Sequence, residues 1–186
     1  MLLNINILQE FVQDVKVKLT GSYIAKNNNL NQKTVSKYLL KLEKEHFLKS
    51  QIDGRNKLFF LNLQNLELVT PFVIATELLR TINFYKKNPL IKEISEKIKP
   101  FIVGSAIIFG SYAKNIQKKD SDLDLLIIGK CNEKEIEKIS KAYNVEISLK
   151  IYSKFEKDIL MNEVLKNHII IKQVESFVEE ILNETN

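Results

Sequence analysis

The segment IIFGSYAKNIQKKDSDLDLLII, residues 107–128, constrains the fold of this chain more than any other part of the sequence. Two apolar runs, each typical of a buried strand, flank a Gly110-Ser111 turn and a polar loop. Asp122 and Asp124 stand at the start of the second run, where strand alternation directs both side chains to one face. Burying unpaired charges is costly, so the two aspartates require a cation, hydrogen-bonding partners or an opening to solvent.

The residues around this segment predict a small mixed sheet flanked by helices. Residues 132–143 form an amphipathic pattern with Ile136 and Ile139 on one side, which indicates a helix. Residues 144–152 alternate strictly, with Glu146, Ser148 and Lys150 on one face and aliphatic residues on the other. This strand therefore brings Glu146, a third carboxylate, toward the same sheet.

Carboxylates on one face can share hard divalent cations, which also bind phosphate oxygens. Gly110-Ser111 lies where a strand gives way to a helix start, so free backbone N–H groups and the Ser111 hydroxyl can hold a phosphate chain. Cations beside a phosphate cradle suggest nucleotidyl transfer. The alternative is that Asp122 and Asp124 are a solvated pair that caps a loop.

Residues 88–183 resemble the minimal nucleotidyltransferase family of the DNA polymerase beta-like superfamily. The family motif is Gly-Ser, a variable loop and Asp-x-Asp, and here it reads GSYAKNIQKKDSDLD. The resemblance implies a two-metal mechanism in which an acceptor hydroxyl attacks the α-phosphate of a nucleoside triphosphate and pyrophosphate leaves. It implies catalytic roles and two Mg²⁺ ions for Asp122, Asp124 and Glu146, and triphosphate binding by Gly110, Ser111 and Lys114.

Two positions depart from the family pattern. Lys114-Asn115 replaces the usual arginine-glycine, and Glu146 stands where an aspartate is usual. The transferred group is most often AMP in the family, and its acceptors include small antibiotics, protein hydroxyls and RNA ends. Because family members often act as antitoxins beside HEPN-type toxins, a toxin protein is the first acceptor to test.

The basic residues are concentrated in the first third of the chain. Residues 1–65 contain ten Lys or Arg against five Asp or Glu, whereas the remaining residues contain 18 of each. The whole net charge of +5 therefore lies in that third, which indicates a polyanionic partner there and a boundary near residue 65. A solvated lysine face is the alternative.

The pattern of the first third favours a nucleic-acid partner. A short helical segment, an Asn31-capped helix with Val35, Leu39 and Leu42 on one side, and a hairpin turning at Asp53-Gly54 follow one another. About residues 5–63 resemble the winged helix-turn-helix domains of bacterial and archaeal transcription regulators. The resemblance implies DNA contacts from the second helix through Gln32, Lys33, Lys37 and Tyr38, and from the wing through Arg55 and Lys57. A winged helix used for protein contact or dimerisation is the alternative.

Two helices connect the halves. Thr70-Pro71 predicts the start of the first helix, which continues to Asn88-Pro89, and a second helix ends at Pro100. Their apolar faces can pack on the second domain or on a partner chain, which would give a homodimer.

We therefore expect an α+β protein with a winged helix at residues 1–65, a helical connector at 66–100 and a minimal nucleotidyltransferase domain at 101–186. The alternative function is a DNA-binding transcription regulator whose nucleotidyltransferase domain senses nucleotide or is inactive. No run approaches the ~20 apolar residues of a membrane helix, and the single cysteine, Cys131, excludes an internal disulfide. These features favour a cytoplasmic protein.

Overall fold

A computed structural model describes residues 4–118 and 120–185 of the chain. The chain forms two compact units: Glu77–Phe177 is one, and the described residues before and after it form the other. The predicted connector, residues 66–100, is thus divided between the two units. None of the helices in the described parts of the chain is long and apolar enough to cross a membrane.

The first unit contains a small antiparallel sheet of strand order β1-β3-β2, the helices around it, and parts of two longer helices that it shares with the second unit. Its elements are α1 (Ile5–Val12), β1 (Leu19–Thr20), α2 (Gly21–Asn27), α3 (Gln32–Lys44), β2 (Leu48–Asp53) and β3 (Asn56–Leu61). The Asn31 side chain caps α3 by accepting hydrogen bonds from the Lys33 and Thr34 N–H groups. Val35, Leu39 and Leu42 are fully buried, so the predicted apolar face of this helix is confirmed.

Helix α4 (Leu66–Lys87) begins earlier than the sequence predicted. The Asn65 carbonyl accepts hydrogen bonds from the N–H groups of Leu68 and Val69, which starts the helix before Thr70-Pro71. The predicted start was wrong because Pro71 is tolerated inside the helix, near its N-terminus, where its missing N–H removes only one early backbone bond. Helix α5 (Pro89–Ile98) ends before the predicted Pro100, because a short 3₁₀ helix (Lys99–Phe101) takes over there.

The second unit is built on a mixed four-stranded sheet of order β6-β5-β4-β7. Strands β5 and β6 are parallel and are connected by a helix, while β4 pairs antiparallel with both β5 and β7. The predicted mixed sheet flanked by helices is confirmed. Its elements are β4 (Ile102–Ile108), α6 (Gly110–Ala113), β5 (Leu123–Cys131), α7 (Glu133–Tyr143), β6 (Ile147–Tyr152), α8 (Ile159–Lys166) and β7 (Ile169–Lys172), and α9 (Val174–Asn183) continues into the first unit.

One face of this sheet is the main apolar core of the second unit. Leu123, Leu125 and Ile127 of β5 are fully buried there, and they pack with residues of β4, α5 and α7. Because side chains alternate along a strand, Asp124 between the two leucines is directed to the opposite face. The burial of the leucines thus fixes the orientation of Asp124.

A buried charged cluster joins α4 to the start of β7. The Arg80 guanidinium lies 2.6 Å from Oε1 of Glu77, and Nε2 of His168 lies 3.4 Å from the same oxygen. Arg80 also donates a 2.9 Å hydrogen bond to the backbone carbonyl of His168. Burial acts to raise the pKa of Glu77, but the Arg80 charge and His168 outweigh it and hold that pKa below its usual value.

Candidate functional site

The turn after β4 lies directly against the carboxylate of Asp124. The Phe109 N–H donates a 3.1 Å hydrogen bond to the Asp124 carbonyl, which joins the turn to the start of β5. Gly110 adopts a φ of +66°, and a Cβ atom at this position would overlap Oδ2 of Asp124 and lie 2.8 Å from its Cγ. Only glycine fits this conformation and this close approach, so residue 110 is determined by both the backbone and the neighbouring acid.

The two aspartates interact electrostatically. Asp122 is exposed in the loop just before β5, and Asp124 is half-buried within the strand. Burial raises the pKa of Asp124, the Asp122 charge raises it further, and Lys150 partly offsets both effects. Asp124 thus resists ionisation in the free protein, and a bound cation would relieve this effect.

Strand β6 places a second row of polar residues beside the aspartates. The Leu123 N–H donates a 2.8 Å hydrogen bond to the Glu146 carbonyl, and Asp124 lies opposite Ser148 in the parallel register. Strand alternation then directs Glu146, Ser148 and Lys150 to the face that carries Asp124. Lys150 had no predicted role, although the alternation of residues 144–152 already placed it on the same face as Glu146.

The chemistry of the donor set fits a hard cation. Asp122 and Asp124 offer carboxylate oxygens, the ligands that Mg²⁺ prefers, and their mutual repulsion favours a bound positive charge. Across residues 4–118 and 120–185, no three His, Cys, Asp or Glu side chains are grouped to hold a metal ion. Glu146 is exposed, and its role as a third ligand stays a prediction.

The remaining predicted triphosphate contacts lie in and after α6. Ser111, the second residue of α6, is half-buried, and Lys114, which follows that helix, is exposed. The pKa of Glu163 in α8 is lowered chiefly by its hydrogen bond to Lys166 and in smaller part by the charge of Lys114. Gly110 and Ser111 are thus the first two residues of α6, and Lys114 comes directly after that helix.

The loop that leads to Asp122 is closed by a local turn. The Lys118 N–H donates a 2.8 Å hydrogen bond to the Ser121 hydroxyl, and the Ser121 N–H donates to the Lys118 carbonyl. Lys119 lies outside the described residues. This turn brings the chain back to the start of β5, immediately before the paired aspartates.

A family model described as "Nucleotidyltransferase domain" matches residues 88–184. The chain belongs to this family. The matched region includes the whole candidate site, from Gly110 to Lys150, and the resemblance predicted from the Gly-Ser and Asp-x-Asp motif is confirmed at the level of this family.

A search of curated proteins found no match to this chain. A solved structure described as "Crystal structure of the toxin-antitoxin with AMP-PNP" is similar to it at 16% sequence identity with a TM-score of 0.40, over 52% of this chain and 82% of that chain.

The first unit carries a polar surface on α3. Gln32, Lys33 and Lys37 are all exposed, and together with Asn31, Ser36 and Leu40 they line an open groove of about 800 Å³. The predicted outward face of this helix is therefore present as a continuous surface.

The hairpin borders a smaller hollow of about 250 Å³. Arg55 and Lys57 line this hollow, and Gln32 of α3 lines it as well. Arg55 is exposed, whereas the Lys57 ammonium is 2.7 Å from Glu43 and 5.2 Å from the centre of the Phe59 ring. Arg55 is thus free to reach outward, while Lys57 already has partners within the protein.

Tyr38 lies apart from these residues. Its hydroxyl accepts a 3.1 Å hydrogen bond from the Asn4 N–H, and burial raises the pKa of this half-buried side chain. The Tyr38 hydroxyl therefore supports the start of α1, and its predicted contact with DNA stays a prediction.

Proposed function

We propose that this protein transfers a nucleoside monophosphate, with AMP as the first candidate, from a nucleoside triphosphate to a hydroxyl acceptor. The observation that carries the proposal is the packing of Gly110 against the Asp124 carboxylate. The Gly110 turn, which we propose to bind phosphate, lies against one of the two aspartates, so the two parts of the family motif meet at that point. A turn that binds phosphate next to a cation site is the arrangement that nucleotidyl transfer requires.

Each part of the site has a distinct role in this proposal. Gly110, Ser111 and Lys114 bind the triphosphate through backbone N–H groups, a hydroxyl and an ammonium. Asp122 and Asp124 hold Mg²⁺, with two ions expected, and Glu146 is the third ligand or the base that accepts the proton of the acceptor hydroxyl. Bound Mg²⁺ would neutralise the phosphate charge and make the α-phosphorus more electrophilic. A bond forms between the acceptor oxygen and the α-phosphorus, and the bond to pyrophosphate breaks.

For the acceptor, we propose only the chemical class of molecule that carries the hydroxyl. A protein hydroxyl is tested first, with a HEPN-type toxin as the leading candidate from the family resemblance, and RNA ends and small antibiotics follow. The exposure of Asp122 and Glu146 supports access to the site by a large acceptor, because neither side chain is enclosed.

For the first unit, we propose a winged helix that binds DNA. In this proposal α3 enters the major groove with Gln32, Lys33, Lys37 and Tyr38, and Arg55 and Lys57 of the hairpin contact the backbone or the minor groove. The exposed groove along α3 and the hollow it shares with the hairpin support this assignment. DNA binding would then be coupled to nucleotide chemistry in one chain.

A second candidate function is a DNA-binding regulator that binds nucleotide without turnover. It is favoured by one observation: within the described residues, the two aspartates are not joined by a third metal-ligating side chain. The two candidates differ in one measurable property, the transfer of the α-phosphate.

The test is transfer of label from ATP or CTP in the presence of Mg²⁺, with and without cell extract. We expect label in a protein or RNA from α-labelled nucleotide and none from γ-labelled nucleotide, because pyrophosphate leaves. Asp122→Asn/Asp124→Asn should abolish the signal, whereas Glu133→Gln/Glu137→Gln, two exposed acids of α7, should retain it. Triphosphate binding without any α-label would favour the regulator.

A further inference from the structure

The exposed side of α3 carries one apolar side chain among lysines. At 100° per residue, a stripe of this helix about 100° wide contains five residues: Lys33, Ser36, Lys37, Leu40 and Lys44. Ser36 is half-buried and the other four are exposed. Leu40 is 48% exposed and is the only apolar member of this stripe, which we call the lysine face.

The surroundings of Leu40 restrict what can cover it. Lys37 and Lys44 lie about one turn before and one turn after it on the same face. Glu43, the acid of α3 nearest to this face, is already paired with Lys57 at 2.7 Å. A partner that buried Leu40 would also take water from the two flanking ammonium groups, which is costly unless it offers negative charge to both. The lysine face therefore fits a partner with an apolar contact point between two anionic borders.

Duplex DNA has this arrangement in its major groove. The groove admits an α-helix, and phosphates border it on both sides. Its floor presents hydrogen-bonding groups and one kind of methyl group, the C5-methyl of thymine. The Leu40 side chain has no donor or acceptor, so the thymine methyl is the group on a base edge that it can contact favourably. Leu40 also lines both the groove along α3 and the hollow beside the hairpin, so it lies where these two openings meet.

We propose that Leu40 contacts the C5-methyl group of a thymine in the major groove, and that the DNA site of this protein contains an A·T pair at that position. This inference rests on the proposed DNA binding of the first unit and adds a residue that reads one base. The lysines contribute affinity that does not depend on sequence, because phosphate contacts carry no direct sequence information. Leu40 contributes a preference among sequences, because only thymine carries the methyl group.

Replacement of thymine by uracil tests the contact, because uracil pairs with adenine in the same way but lacks the methyl group. Duplexes selected from a random pool by the full chain are prepared with thymine and with uracil at every thymine position. We expect wild type to bind the thymine form about three- to tenfold more tightly, the effect of burying one or two methyl groups. Leu40→Ala should bind the two forms about equally. It should also keep the wild-type dependence on salt, because it removes no phosphate contact.

The matched control is Leu90→Ala, the same substitution at a leucine of α5 that is 46% exposed in the second unit. This variant should keep the full preference for thymine. If wild type binds both forms equally, or if Leu40→Ala keeps the preference, Leu40 does not read thymine, although the proposed DNA binding stands. If wild type has no affinity for either form at low salt, the proposed DNA binding and this inference are both overturned.

Discussion

Gly110 and Gly54 share a positive φ, +66° and +58°, but not their surroundings. A methyl group at Gly110 would overlap the Asp124 carboxylate, whereas one at Gly54 would meet nothing within 4 Å. Alanine costs about 1 kcal/mol of backbone strain at either position. We therefore predict that Gly110→Ala lowers the free energy of unfolding by more than Gly54→Ala and that it alone impairs triphosphate binding, as measured by urea unfolding and calorimetry. Equal effects on stability and intact binding would show that the contact with Asp124 is unimportant.

The aspartate pair has a predicted pH signature in the absence of Mg²⁺. Burial and the Asp122 charge raise the pKa of Asp124 above 3.8 in the folded protein, so the folded state keeps a proton that the unfolded chain has lost. Stability contributed by this group is present below pH 3.8 and is lost as the pH rises through the folded pKa. Asp122→Asn/Asp124→Asn removes this loss, so the variant should melt at a higher temperature than wild type at pH 7 in EDTA.

The comparison at two pH values isolates this pair from other acids, such as Glu77, whose pKa is shifted in the opposite direction. The melting-temperature difference between variant and wild type should be larger at pH 7 than at pH 3.5. A difference that does not change with pH would mean that folding does not raise the pKa of Asp124.

At the scale of elements, the pairing of β6 with β5 determines where Glu146 lies. The Leu123 N–H donates a hydrogen bond to the Glu146 carbonyl, so Glu146 lies beside the start of β5, next to the aspartates. We predict that Glu146→Gln slows transfer by about two orders of magnitude or more, the scale of a lost catalytic base, while triphosphate affinity is retained. Rates of label transfer at saturating nucleotide measure this effect.

Glu156→Gln, an exposed acid beyond the end of β6, is the matched control and should transfer at the wild-type rate. Glu146→Asp is the informative companion, because it restores the residue usual in the family with a shorter reach. If Glu146→Gln and Glu146→Asp both transfer as wild type does, Glu146 is a surface residue of the strand.

The exposed face of α3 is predicted to bind DNA through its lysines. Lys33→Gln/Lys37→Gln should weaken DNA binding and lower the slope of log affinity against log salt by about 0.9 for each lost phosphate contact. Lys138→Gln/Lys141→Gln on α7 makes the same charge change at two side chains that are 71% and 74% exposed, and it should leave DNA binding unchanged. Fluorescence anisotropy across a salt series measures both. If the intact protein has no affinity for DNA at low salt, the first unit has another role.

Local sequence pattern predicted those helices and strands whose conformation is determined by residues within the same element. The Asn31 cap, the α3 stripe and the strand that begins at Leu123 follow from residues within each element. The start of α4 was not predicted correctly from local pattern. Pro71 suggested a start at Thr70, but the backbone hydrogen bonds to the Asn65 carbonyl begin the helix earlier. The pairing of β7 with β4 was not predicted either, since it joins residues more than 60 positions apart and has no local signal.

The sequence predicted which residues belong to the candidate site, but it did not predict all the contacts and charges that surround them. The motif indicated that Gly110 and Asp124 act together, and the structure adds that they are in contact. The influence of Lys150 on Asp124 depends on how two strands pair, which the sequence of either strand alone does not specify. Tyr38 was expected to face outward from its helical position, but the α1 segment lies against its hydroxyl.

At the scale of the whole molecule, one chain combines a basic first third with a charge-balanced remainder that carries the nucleotidyltransferase match. The proposal assigns polyanion binding to the first and triphosphate chemistry to the second. When DNA is absent, removing the charges of the α3 surface should therefore leave triphosphate binding unchanged. The α3 variant offers this test, because Lys33→Gln/Lys37→Gln should bind triphosphate with wild-type affinity.

The most direct measurement is calorimetric titration of a non-hydrolysable ATP analogue into the full chain with Mg²⁺ and with EDTA. We predict binding that requires Mg²⁺ in wild type, that is lost in Asp122→Asn/Asp124→Asn, and that is retained in Glu133→Gln/Glu137→Gln. This result would show that the paired aspartates and the Gly110 turn form a cation-dependent triphosphate site. Binding of equal strength with and without Mg²⁺, or in wild type and the aspartate variant alike, would contradict it.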